Sequence, residues 1–227
     1  MHKPNDATVA LREGIFDYAR KRLEYDPAPL DAPQTLEFLT EHAGPTVTEE
    51  GLGGLKSLKL FENVLAPATI STDHPGYLSF IPCAPTEAAK LFDLIVSASA
   101  IYGGSWMEGA GAVYAENEVL AWLAREVGLP STAGGVFVQG GTLGNLSALV
   151  AARHAAAKKR TDQGIAQPTK WKFICSAEAH SSLKSAAAVM DVQIIKAQVD
   201  ANGHLRGDSV AAALSDAGDG VFAIVAT

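Results

Sequence analysis

At 227 residues, the chain is long enough for one sizeable core with a smaller appendage. Hydrophobic residues make up 48% and charged residues 19%, a globular composition that excludes disorder throughout. A net charge of −7 and a pI near 5.3 argue against the concentrated basic face that a nucleic-acid partner requires.

From the N-terminus, Leu11, Ile15, Tyr18 and Arg22 recur at helical spacing, with Leu23 beside them. This predicts an amphipathic helix over residues 7–25, stopped by Asp26-Pro27-Ala28-Pro29. A short apolar set, Leu36, Phe38 and Leu39, follows, and a third helix is expected from about Thr48 to Leu65. The first segment, 1–85, therefore reads as helical hairpins rather than a core of its own. Residues 71–85 are rich in Pro, Gly and aromatics with neither regular period, which places a boundary there.

Beyond it, residues 86–100 and 113–127 carry helical spacing, and Gly128-Leu129-Pro130 ends the second. The rhythm then changes to short apolar runs alternating with helices. Residues 135–139 read as a buried strand, 143–159 as a helix, 171–176 as a strand and 181–190 as a helix. Residues 192–197, 209–214 and 221–226 repeat strand, helix, strand. The alternation predicts an α/β domain with a mostly parallel sheet flanked by helices over residues 86–227. Thr227 falls at the carboxyl end of the last strand, where such sheets bind ligands. The basic cluster Lys158-Lys159-Arg160 suits a helix C-terminus.

Cys83 and Cys175 stand far apart, with no disulfide or zinc spacing, which fits a reducing compartment. No apolar signal core opens the chain, and no run approaches the roughly 18 residues of a membrane span, so a cytoplasmic protein is expected.

Four local patterns bear on chemistry. Gln139-Gly140-Gly141-Thr142-Leu143-Gly144-Asn145 lies between an expected strand and a helix. Its glycines let backbone N–H groups approach an anion, and it also suits a plain tight turn. It matches neither dinucleotide nor triphosphate glycine spacing. Ala179-His180-Ser181-Ser182 follows the strand at 171–176 and opens a helix, so His180 serves either as a cap or as a cleft residue. The stretch from His74 to Pro82, with Tyr77, Phe80 and Ile81, is a stiff loop that joins regions or lines a pocket. Tyr102-Gly103-Gly104-Ser105-Trp106-Met107-Glu108-Gly109-Ala110-Gly111 reads as a flexible, substrate-lining or subunit-contacting loop.

The ordered blocks HPGYLSFIP, YGGSW, AENEVLAWLAREVGLP, VFVQGGTLGNLSALVAAR, AHSSLKSAA and FAIVAT resemble the pyridoxal phosphate-dependent group II amino-acid decarboxylases. The resemblance implies a fold-type I large domain, here partial, preceded by a helical N-terminal segment that embraces a partner subunit. It implies pyridoxal 5'-phosphate as cofactor and an L-amino acid as substrate, converted to an amine and carbon dioxide. Gly141, Thr142, Leu143 and Asn145 match the phosphate cradle, and His180 matches the histidine stacked on the pyridine ring. Phe80 and Ile81 match substrate-facing positions. Tyr102 and Gly104 match positions that reach into the other subunit's pocket. Where aromatic-amino-acid decarboxylases carry phenylalanine before Ser-Trp, this chain has Gly104, so the resemblance implies a smaller pocket wall than in those relatives.

The resemblance also places an aspartate for the pyridinium nitrogen and a His-Lys pair, with the Schiff-base lysine, after the strand that ends VAT. Lys172, Lys184 and Lys196 do not occupy that position. A homodimer, or a second chain carrying the C-terminal half, is the partner this implies, with the present residues inactive alone. Other fold-type I lyases or aminotransferases, or a non-catalytic binding module, are the competing readings.

Overall fold

The computed structural model describes residues 4–226, so the expectation for Thr227 lies outside the described residues. The chain divides into two compact units, the first ending at Tyr102 and the second beginning at Gly103.

The first unit is helical. Helix α1 (Asp6–Leu23) starts where Asn5 and Thr8 cap each other: the Asn5 side chain accepts from the Thr8 N–H at 2.9 Å and Thr8 Oγ1 accepts from the Asn5 N–H at 2.8 Å. Helix α2 (Leu36–Ala43) is capped by Thr35. Helix α3 (Gly54–Leu60) begins later than the pattern predicts, because Gly51 and Gly53 take positive φ of 72° and 76° and turn the chain before it. It runs on as a π-helical turn over Phe61–Leu65. Helices α1 and α3 pack closely, and a Cβ on Gly54 would lie 2.5 Å from Leu11 Cδ2. Tyr18 meets the Phe61 ring edge-on at 5.7 Å.

Arg22, on the apolar face of α1, finds its partner in Asp73 at 2.8 Å, and the same carboxylate takes Lys90 at 3.2 Å from helix α4 (Glu87–Ala98). The boundary loop that begins at residue 71 is tied down at its start: the Ser71 N–H donates to the Leu30 carbonyl at 2.9 Å, and the Gly76 N–H donates to His74 Nδ1 at 2.8 Å.

The second unit opens with helix α5 (Trp106–Glu126), interrupted at Gly109 (φ −130°, ψ 36°). The composition of residues 102–111 suggested a loop, but helix begins at Trp106. After helix α6 (Gly140–Asp162) come strand β1 (Lys172–Ser176), helix α7 (Ser181–Met190), strand β2 (Gln193–Ala197), helix α8 (Gly207–Ala217) and strand β3 (Val221–Val225). The strands form a parallel sheet in the order β2-β1-β3, with Phe173 beside Ile194 and Ala223. The β1-to-β2 and β2-to-β3 crossovers run in opposite directions across the sheet, so the right-handed connection that parallel strands favour puts α7 and α8 on opposite faces.

On the α6–α7 face the core gathers Leu149, Phe173, Cys175, Leu183, Ala186 and Met190. Ile174, pointing the other way, is also fully buried. Burial pushes the Cys175 thiol above its ordinary pKa.

The strand expected at 135–139 does not form. Residues 135–139 are irregular, and Val136 and Phe137 are 65% and 56% exposed. A buried strand needs a neighbour to pair with, and among the described residues none of the three strands pairs with this segment. The Phe137 N–H instead donates to Glu116 Oε1 of α5 at 2.8 Å.

Candidate cofactor-binding site

The start of α6 is built from backbone alone. The Gly140 N–H donates to the Val138 carbonyl at 2.9 Å, and Gly140 holds φ at +82°, which a side chain would resist. Gln139 stands at the cap position but makes no side-chain cap bond, and Thr142 lies inside the helix rather than capping it. A Cβ on Gly140 or Gly141 would meet nothing within 4 Å, so the backbone faces open space. The first turn of a 23-residue helix thus presents N–H donors and the positive end of its dipole without an internal anion to meet them. Thr142 and Leu143 are exposed in that turn.

One turn further along α6, Asn145 is half-buried and directed at α7. Its Nδ2 donates to Ser182 Oγ at 2.8 Å. Ser182 Oγ lies 2.9 Å from His180 Nδ1, and the Ser182 N–H donates to the same ring nitrogen at 3.2 Å. His180 is therefore the side-chain cap of α7, while its ring remains exposed. A cavity of about 330 Å³ lies beside it, at the carboxyl ends of β1 and β2, with Ser176, Lys184 and Lys196 in its wall. A second, of about 310 Å³, lies between α6, α7 and β3 and is lined by Asn145, Leu149, Leu183 and Val225.

Of the residues singled out by sequence, Asn145 and His180 are joined by these hydrogen bonds, and Gly141, Thr142 and Leu143 sit within the turn before Asn145. Neither cavity is lined by Gly141, Thr142 or Leu143. Gly104 lies exposed just ahead of α5. Phe80, Ile81 and Tyr102 belong to the first unit and are 88%, 97% and 68% exposed, Phe80 at a positive φ of 59°. Lys172 is engaged elsewhere, its Nζ donating to the Ala217 carbonyl at 2.6 Å.

Sequence reasoning passed over Ser182 and Glu116. Ser182 had a legible signal, since the second residue after a cap is where the cap's side chain accepts its hydrogen bond. Glu116 had none, because its partner is 21 residues away.

The family described as "Pyridoxal-dependent decarboxylase conserved domain" matches residues 48–227. Among curated proteins, the aromatic-L-amino-acid decarboxylase of Bacillus atrophaeus is 31% identical over 137 residues, covering 59% of this chain and 27% of that protein. The L-2,4-diaminobutyrate decarboxylase of Acinetobacter baumannii is 25% identical over 201 residues, 79% of this chain and 39% of that one. Among solved structures, mouse CSAD superposes with a TM-score of 0.81 at 19% identity, over 98% of this chain and 48% of that one. Oryza sativa TDC with PLP and tryptamine gives 0.80 at 21% identity, over 99% and 49%. At such identities the structural likeness speaks for the fold, and the chain spans about half the length of these structures.

Proposed function

Since the chain belongs to the pyridoxal-dependent decarboxylase family, whose cofactor is pyridoxal 5'-phosphate, we propose that it takes part in removing carbon dioxide from an L-amino acid in the cytoplasm. The observation that carries this is one arrangement: an uncapped glycine start to α6, linked through Asn145 and Ser182 to an exposed His180.

The residues present fit the cofactor. Open backbone at Gly140 and Gly141 admits an anion to the N–H groups of Gly141, Thr142 and Leu143, and the Thr142 hydroxyl adds a donor. His180 would lie against the pyridine ring. When bound, the cofactor supplies an electron sink for the pair of electrons left on the α-carbon as carbon dioxide departs. The chain's own work is to anchor the phosphate, fix the ring's tilt through His180 and hold a proton on that imidazole near the reacting carbon.

Phe80, Ile81, Tyr102 and Gly104 are our candidates for contact with the amino acid. Residues 1–85 are proposed to embrace a partner subunit of a homodimer, and 86–227 to form the first part of the cofactor-binding domain. The covalent anchor is proposed to come from a lysine outside residues 1–227, in further chain or a second polypeptide, so that these residues alone do not turn over.

Equilibrium titration of the complete protein with pyridoxal 5'-phosphate tests the reading. Saturable binding is expected, together with carbon dioxide release from at least one member of a panel of acidic, basic and aromatic L-amino acids. A complete protein that binds no cofactor would overturn it.

A further inference from the structure

The hydrogen bonds around Ser182 run in one direction. A backbone N–H can only donate, so the Ser182 N–H at 3.2 Å requires a lone pair on His180 Nδ1. A neutral imidazole then carries its proton on Nε2, the opposite edge of the ring. The Ser182 hydroxyl, 2.9 Å from that same lone pair, turns its proton toward the ring, leaving its own lone pairs for the Asn145 amide at 2.8 Å.

Amide donates to hydroxyl, and hydroxyl donates to imidazole. Ser182 is 2% exposed, so water is a poor substitute for either partner. Asn145 is held in place because Leu149, one turn along the same face of α6, is anchored in the core with Leu183 of α7.

We propose that Asn145 and Ser182 are positioning residues that set the His180 tautomer, keeping Nδ1 as acceptor and Nε2 as the proton-bearing atom. The inference deepens the functional reading, since it rests on His180 facing the cofactor. It joins the two sequence blocks into one device: α6, whose first turn offers the phosphate donors, also fixes the polarity of the ring one layer away. Removing the Ser182 hydroxyl leaves the backbone N–H as the only group holding Nδ1, and turns the Asn145 amide loose in a half-buried place.

The test is a long-range proton–nitrogen NMR correlation of the His180 ring in the complete protein, first without cofactor. The wild type should show the Nε2–H pattern. Ser182→Ala and Asn145→Asp should both mix in the Nδ1–H form, the second because a carboxylate accepts the hydroxyl proton and draws it away from the ring. Ser182→Thr should restore the wild-type pattern. A wild-type ring protonated at Nδ1, or a Ser182→Ala ring unchanged from wild type, overturns the proposal, and the wild-type and Asn145→Asp spectra decide it even if Ser182→Ala does not fold. Adding pyridoxal 5'-phosphate separates the two readings: the Nε2 signal moves if His180 faces the cofactor, and a static Nε2 signal counts against the functional reading while leaving the tautomer assignment standing.

Discussion

At Asp73, one carboxylate meets two cations. The hydrogen bond from Arg22, joined by Lys90, holds its carboxyl below the usual carboxylate range, and the side chain is only 15% exposed. Because the folded-state pKa is depressed, the stability this group contributes is present above the unfolded-state value and lost as pH falls through the folded one. Asp73→Asn should cost about 1–3 kcal/mol at neutral pH, and the deficit should shrink below roughly pH 4 as the wild-type carboxylate also protonates. Urea melts of the two proteins at several pH values check this. A second prediction belongs to Thr142: if its hydroxyl is a phosphate donor, Thr142→Ala weakens pyridoxal 5'-phosphate binding by about tenfold or more, and Thr142→Ser does not. Both block motifs were visible in the sequence. What was not visible is that Asn145 spends its amide on Ser182, because periodicity reports which face a residue occupies and says nothing of its partner on another helix.

Among the elements, β1 and β3 meet at their N-terminal ends around Gly220. Its carbonyl accepts the Lys172 N–H at 2.8 Å, its φ is +91°, and a Cβ there would sit 2.5 Å from the Lys170 carbonyl oxygen. Strain in φ and a clash with backbone act together, so Gly220→Ala should destabilise the second unit by roughly 2–4 kcal/mol, at or above the usual overpacking range. A chemical-denaturation midpoint measures it, and a change under about 0.5 kcal/mol, typical of surface substitutions, would contradict the clash. Residues 135–139 teach the converse lesson. Their apolar run has a strand's composition, yet strand structure is a property of pairs, and with no neighbour among the described residues the segment leans on α5 through Gly135, beside Leu120, and Glu116. Glu116→Ala should raise amide exchange at Phe137 by about tenfold, since the bond holding that N–H is worth roughly 1 kcal/mol or more.

For the molecule as a whole, the exposed surface is 16,541 Å². Even counted as two separate folded units, the chain's mass predicts only about 12,000 Å². The excess, roughly 4,500 Å², is comparable to the area buried in an obligate interface. Part of it is apolar: Phe92 is 65% exposed, Met107 90% and Leu78 91%. A chain with this surface is expected to associate. Sedimentation velocity across a concentration series should show species larger than 23.7 kDa, whereas one stable monomer at all concentrations would contradict the expectation. No helix among the described residues is long and apolar enough to cross a membrane, so a bilayer-spanning helix does not account for that surface.

By itself the sequence determined the helices of the first segment, the parallel β1-α7-β2-α8-β3 run, the bounds of α7, and the two motifs that identify the family. These are local properties: capping residues, apolar periods and glycine turns act within a few residues of one another and leave a readable mark. Only the tertiary structure decided that residues 135–139 find no strand partner among the described residues, that Arg22 and Lys90 share Asp73, and that Asn145 reaches His180 through Ser182. Each of those depends on a partner between 17 and 51 residues away or on the lack of one among the described residues, and pairing at that range is fixed by how the elements pack rather than by the order in which they occur.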